Sequence, residues 1–170
     1  WTIPEGEGMS SLSQEQAASG KSSLKVVDES GKDGSHAAAT RAPVKGAGAF
    51  LLHGKAFPVS GSGLGIYVRV LDKDAKLIGK GDEYHRGAPS GPVGKWVPFT
   101  TTIYAPDNAA FLELWIHSYS HAKVVAYLDD FAFEDLGTQG LRPPWEGAYK
   151  IRPEEKAKLT AADVVGPDGI

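Results

Sequence analysis

The stretch Phe111 to Tyr119, FLELWIHSY, constrains the fold more than any other part of the chain. Leu112, Leu114 and Ile116 alternate with Glu113, Trp115, His117 and Tyr119. Side chains on a strand point to opposite faces with a period of two, so one face here is aliphatic core. The other face carries an indole, an imidazole and a phenol in a row. Large rings on the non-core side of a strand mark a binding surface. The competing reading is that Trp115 fills a second small core beneath a loop.

The same alternation recurs along the chain. In Gly65 to Leu71, GIYVRVL, Ile66, Val68 and Val70 face one way, and Tyr67, Arg69 and Leu71 the other. Ser22 to Asp28, Trp96 to Tyr104 and Val124 to Leu136 read as further strands. Shorter ones are expected within Met9 to Gln16 at an edge, His36 to Arg41, and Phe50 to His53 continued by Ala56 to Val59. The turns expected between them are Gly61 to Gly65, Asp72 to Ala75, Ala105 to Asn108 and Ser120 to Ala122. GSGLG at 61–65 is no phosphate cradle, because a strand rather than a helix follows it. The polar segment from Gly79 to Lys95, with Tyr84, His85 and Arg86, is long enough to be a functional loop.

About eight short strands with almost no helix predict an all-β fold: a two-sheet antiparallel β-sandwich, compatible with a jelly roll. The 21 Gly and 11 Pro are scattered, as many turns require. After residue 136 the composition changes. Gly137 to Trp145 reads as a linker, and Glu154 to Leu159 as one or two helical turns opened by Pro153. The expected division is a sandwich domain over 1–136 and a linker with a short helical tail over 137–170, leading to a further domain. The chain begins at Trp1 without a Met, which predicts a mature or excised form.

Composition removes several function classes. Among the 170 residues there is no Cys, so disulfides, thiolate metal sites and cysteine chemistry are excluded. A net charge of −3 gives no global basic field for nucleic acid. No apolar run approaches the roughly 18–20 residues that span a bilayer, so no membrane contact is expected.

Four constellations carry candidate chemistry. The first is Tyr67, Arg69, Glu113, Trp115, His117 and Tyr119. Sugars offer apolar C–H faces to aromatic rings and hydroxyls to short polar groups, and this set supplies both. Trp115 and Tyr67 are expected to stack, with Arg69, Glu113 and His117 hydrogen-bonding. The second is the cationic set Arg41, Arg69, His85, Arg86, His117 and His121, which would mark an acidic polysaccharide if it converged. The sequence shows no convergence, so solvated loop charge is the plainer reading. The third is Asp129 and Asp130, which alternation places on opposite faces. The fourth is His117 with His121, which spans a strand end and a turn and does not make a zinc pair. Tyr119 as base with His117 and Arg69 neutralising charge would suit a lyase acting on a uronate polymer.

The chain resembles the jelly-roll carbohydrate-binding modules of the glucan- and xylan-binding group. The resemblance rests on Trp1, on Gly20-Lys21-Ser22-Ser23-Leu24 entering a strand, and on Tyr67-Val68-Arg69-Val70 before a hairpin. It continues through Trp96-Val97-Pro98-Phe99 and Tyr127-Leu128-Asp129-Asp130-Phe131, and covers roughly residues 1–136. The opening strand of such modules, with an Asn-x-Gly-Phe-Glu-like signature, would sit just before this chain begins.

The resemblance implies a secreted, non-catalytic module that binds a neutral or acidic polysaccharide and targets an attached polysaccharide-degrading enzyme. It also implies a structural calcium held by Asp130 and by backbone carbonyls near Lys21. That site ordinarily takes a carboxylate from the opening strand as well. The alternatives are the uronate lyase and a structural sandwich packed on a neighbouring domain.

Overall fold

The computed structural model describes residues 1–3, 10–32, 34, 36–82, 84–87 and 91–137, with backbone alone for 36–40. Seven strands run through them: β1 Ser10–Ser13, β2 Ser23–Asp28, β3 His36–Pro43, β4 Gly48–Leu71, β5 His85–Gly87, β6 Val97–Ala105 and β7 Phe111–Gly137. Their pairings are all antiparallel. The expected linker and helical tail fall in 138–170, outside the described residues.

Two strands organise the rest. β4 has 24 residues and β7 has 27, and they pair along their whole lengths, from Ala49↔Gly137 to Leu71↔Phe111. Residues 48–62 of β4 and 123–137 of β7 form one layer with β6, β2 and β1. Residues 64–71 of β4 and 111–118 of β7 form the other with β3 and β5. The all-β sandwich is thus a single sheet folded over itself.

The inward faces meet in one core. Leu24, Val26, Leu52, Ile103 and Leu128 come from the first layer, and Leu64, Ile66, Val68, Leu112, Leu114 and Ile116 from the second. All are essentially buried, and apolar burial is the main favourable term holding two such layers together.

The expected strand count needs correction at the fold line. Gly61 to Gly65 and Ser120 to Ala122 are corners inside continuous strands, not reversals. Between Ser62↔Lys123 and Leu64↔Ser118 the register shifts, so Tyr119 to Ala122 stand opposite Gly63 alone. Gly61 and Gly63 have φ of 73° and 97°, and His121 has 65°. A Cβ at Gly61 would lie 1.8 Å from the Lys123 carbonyl oxygen, so the strands approach too closely there for any side chain.

A buried carboxylate braces this corner. Asp28, at 0% exposure, accepts from Ser118 Oγ at 2.6 Å and from Ser30 N and Oγ at 3.2 and 3.0 Å. Ser118 is equally buried and lies between His117 and Tyr119. The brace therefore sits directly beneath the two side chains that leave the sheet on its other face.

A second correction concerns Asp129 and Asp130, which alternation put on opposite faces. Asp130 has φ 55°, in the left-handed region, and the register shifts between Lys55↔Asp129 and His53↔Ala132. A bulge breaks the two-residue period and turns both carboxylates towards one segment. Asp129 Oδ2 accepts from the amides of Ala18 and Ser19 at 2.8 and 3.3 Å, while Asp130 accepts from Ser19 Oγ.

Candidate functional site

Tyr67, Arg69, Glu113, Trp115, His117 and Tyr119 all line one open groove of about 650 Å³. It lies on the outer face of the second layer. Period-two alternation puts these side chains there because their neighbours Ile66, Val68, Leu114 and Ile116 are buried on the inner face. Pairing then builds rows across the strands. In one row Arg41 on β3, Glu113 on β7 and Arg69 on β4 are direct neighbours. In the next, Trp115 pairs with Tyr67, which pairs with His85 on β5.

Glu113 holds two cations at once. Arg41 Nε donates to its Oε2 at 2.8 Å, and Arg69 Nη1 lies 3.5 Å from its Oε1. The Glu113 side chain is only 12% exposed, against 47% for Arg41 and 31% for Arg69. The carboxylate is the floor of the groove, and the guanidiniums rise from it towards solvent.

The rings pack on one another. His117 stacks on Trp115 at 4.9 Å with an interplanar angle of 7°. The Arg69 guanidinium lies 3.8 Å from the Trp115 ring centre. Along β7, His117 is two residues beyond Trp115, whereas Arg69 pairs with Glu113, two residues before it. The imidazole and the guanidinium therefore cover opposite faces of the indole, a cation–π contact on one side and a π stack on the other. The face-stacking role expected of Trp115 meets this geometry: what the indole turns to the groove is an edge.

Tyr67 tilts against Trp115 at 5.1 Å and 47°, and stacks on His85 at 5.3 Å and 19°. Burial, a hydrogen bond with Tyr119, and the negative charge near it push the Tyr67 phenol up to about 12. Tyr67 is thus a neutral hydroxyl at any physiological pH, suited to donate a hydrogen bond and not to remove a proton. Tyr119 reaches over Gly65, where a Cβ would come within 3.0 Å of its hydroxyl.

The segment after β4 walls the groove. Asp72 caps its turn, accepting from the amides of Asp74 and Lys76 at 2.9 Å each. The Leu71↔Leu77 bridge then brings Leu77, with Ala75, Lys80, Gly81 and Asp82, to the rim. His85 was expected only as one of the cationic set, and Leu77 and Ala75 of the rim were not among the expected site residues. The length of the loop from 79 to 95 signalled a role, but its partner on the sheet was not readable.

The cationic set divides. Arg41, Arg69 and His117 line the groove, and His85 stacks on Tyr67 at its border. Arg86, the next residue on β5, turns away, donating to the Thr100 carbonyl at 3.2 Å. His121 sits at the corner, its Nδ1 2.8 Å from the Gly31 carbonyl.

Asp130 and Lys21 stand apart from the groove. Lys55 Nζ is 2.8 Å from Asp130 Oδ2, and this ammonium, with Ser19, holds the Asp130 carboxyl below the usual range. Calcium takes six to eight oxygens. Among the described residues the Asp129 and Asp130 carboxylates and the Ser19 hydroxyl meet at one segment beside an ammonium, with Asp129 already engaged by two amides, and no group of three acidic or imidazole ligands exists. The described residues thus do not by themselves fit a calcium ion.

No protein-family model matches the sequence, and no curated protein matches it. Solved structures do. A family 16 carbohydrate-binding module aligns at 15% identity over 78% of this chain and 89% of its own, with a TM-score of 0.54. The CBM22-1 xylan-binding domain of Xyn10C from Paenibacillus barcinonensis aligns at 19% identity over 81% and 86%, with a TM-score of 0.52. The enzymatically active domain of tailspike protein 4 from bacteriophage CBA120 has a TM-score of 0.60 at 11% identity, over 75% of this chain but 18% of its own. The chain therefore has the jelly-roll fold found in carbohydrate-binding modules. Likeness at these identities speaks to the fold alone.

Proposed function

We propose that this domain is a non-catalytic polysaccharide-binding module of a secreted protein, targeting an attached polysaccharide-degrading enzyme to a neutral or acidic polymer. The observation that carries the reading is the groove itself. Six polar and aromatic side chains from two paired strands converge in it, on a fold shared with a family 16 carbohydrate-binding module and a xylan-binding domain. Phenol hydroxyls from Tyr67 and Tyr119 and the guanidiniums at Glu113 supply hydrogen bonds suited to sugar hydroxyls. The ring edges of Trp115 and His117 supply apolar surface. Tethering raises the local concentration of the polymer at a catalytic neighbour without any new chemistry.

One observation favours a second reading: Tyr119, His117 and Arg69 lie in the same groove, as a uronate lyase would need. Affinity-gel or glycan-array screening across neutral and acidic polysaccharides, with cleavage measured in the same wells, separates the cases. The expected result is selective retention without cleavage. A new near-ultraviolet absorbance from an unsaturated product would establish the lyase. Retention on no polymer would refute both and leave the structural sandwich.

The calcium at Asp130 and Lys21 belongs to the same proposal. It requires displacement of the Lys55 ammonium and recruitment of further oxygens. Retention and melting temperature with and without EDTA test it; a metal-independent protein would remove it.

A further inference from the structure

We infer that the groove selects an acidic polysaccharide, through the carboxylate or sulfate of a charged sugar, and that Arg41 is the residue that reads the charge. The inference rests on the reading of the groove as a polysaccharide site and names its ligand class.

The first observation is the charge of one row. Arg41 and Arg69 both line the groove and share a single carboxylate, Glu113, so this row of described residues holds one more positive charge than it neutralises. A cleft lined by an excess of one sign concentrates a ligand of opposite charge.

The second observation is how the arginines are held. Arg41 donates to Glu113 through its Nε, its side chain is 47% exposed, and that contact uses neither terminal nitrogen. A guanidinium oriented through one edge presents the other as a fixed fork, the geometry that carboxylate and sulfate oxygens match. The carboxylate that orients it satisfies only one of the two guanidiniums electrostatically, since Arg69 shares the same Glu113. An anion on the ligand completes the set.

The third observation concerns what the groove lacks. Recognition of a neutral chain leans on exposed ring faces, against which the C–H faces of sugars pack. Here Arg69 and His117 cover both faces of Trp115, and Tyr67 is stacked on His85. The two rings best placed to stack on a sugar are thus engaged by neighbouring side chains, while the side chains of Arg41 and Arg69 reach solvent.

The experiment is affinity electrophoresis or calorimetry with three polymer pairs: polygalacturonate against its carboxyl-reduced form, glucuronoxylan against the same xylan after carboxyl reduction, and dextran sulfate against dextran. The expected result is binding of an acidic member at least about tenfold tighter than its neutral partner, weakening as salt rises from about 20 to 200 mM. The uronate and sulfate arms identify which anion is read. Arg41→Gln is expected to lower acidic-polymer affinity about tenfold and to flatten the salt dependence, with a single cooperative melting transition reporting that the fold is intact. Arg41→Lys, which keeps the charge and loses the fork, is expected to recover the salt dependence but only part of the affinity. Equal binding of both members of every pair, or an Arg41→Gln protein as selective as the parent, overturns the inference and leaves polysaccharide binding standing. Binding to none of the polymers overturns the inference together with the reading on which it rests.

Discussion

Replacing Asp28 by Ala tests whether the corner beneath the groove is braced as its geometry indicates. Asp28 is wholly buried and accepts three hydrogen bonds, from Ser118 Oγ, Ser30 Oγ and Ser30 N. Ser30 is exposed, so water replaces most of what it loses. Ser118 is at 0% exposure, and loss of its charged acceptor costs about 1.5–3 kcal/mol. The removed carboxyl group leaves a small cavity, adding about 1 kcal/mol. The expected destabilisation is therefore about 2.5–4 kcal/mol, a large share of the 5–15 kcal/mol typical of a domain.

Urea unfolding followed by tryptophan fluorescence measures it, with the midpoint shift at constant slope giving the free energy. Asp28→Asn keeps the shape and one acceptor, and should lose about half as much. Ser118→Ala removes the buried donor along with its bond, so the double variant Asp28→Ala/Ser118→Ala should be less destabilised than the sum of the two singles. A loss below about 1 kcal/mol for Asp28→Ala, or strict additivity in the cycle, would show that the corner is held by the strand pairing of Gly61 with Val124 and Ser62 with Lys123 and not by the carboxylate.

Trp115→Ala removes the centre of the Arg69–indole–His117 stack; it is expected to abolish polysaccharide retention and cost about 2–4 kcal/mol while unfolding stays a single cooperative transition, which calorimetry and affinity electrophoresis check together. Gly61→Ala forces a Cβ to within 1.8 Å of the Lys123 carbonyl oxygen at φ 73°, and is expected to destabilise by at least about 2 kcal/mol in the same urea assay, more than an Ala at the open, equally left-handed Gly94. The Asp130 carboxyl is held below its ordinary 3.8, first by Lys55 and then by Ser19, so its contribution to stability is present above that value and is lost as the pH falls through it towards the lower folded value. Melting curves at about pH 6 and pH 3 are therefore expected to separate parent from Asp130→Asn at the higher pH and to bring them together at the lower.

What the sequence made legible, and what it hid, follow from one property of strands. A period of two assigns each residue to a face without knowledge of the strand's neighbour. That is why Tyr67, Arg69, Glu113, Trp115, His117 and Tyr119 could be gathered from two segments before any pairing was known, and why they share one face. The rule fails only where the backbone leaves the extended region. At Asp130, φ 55° shifts the parity and brings two adjacent carboxylates to the same loop. At Gly61, Gly63 and His121, three left-handed residues bend paired strands into a corner, and turn-forming composition looks the same whether the chain then reverses or continues. Register is a different kind of information. Arg41 meets Glu113 across 72 residues because β3 pairs with β7 there after a register shift between Ala38 and Arg41, and His85 meets Tyr67 because β5 pairs with β4. A slip by one residue in either pairing would turn Arg41 or His85 to the opposite face, and no local pattern in these short strands records the alignment. The aromatic character of the groove is therefore local and readable. Its charge depends on a register between distant segments, and the covering of Trp115 by Arg69 and His117 depends on it too. The change from a ring surface to a charged one is the feature on which the choice between neutral and acidic ligand turns.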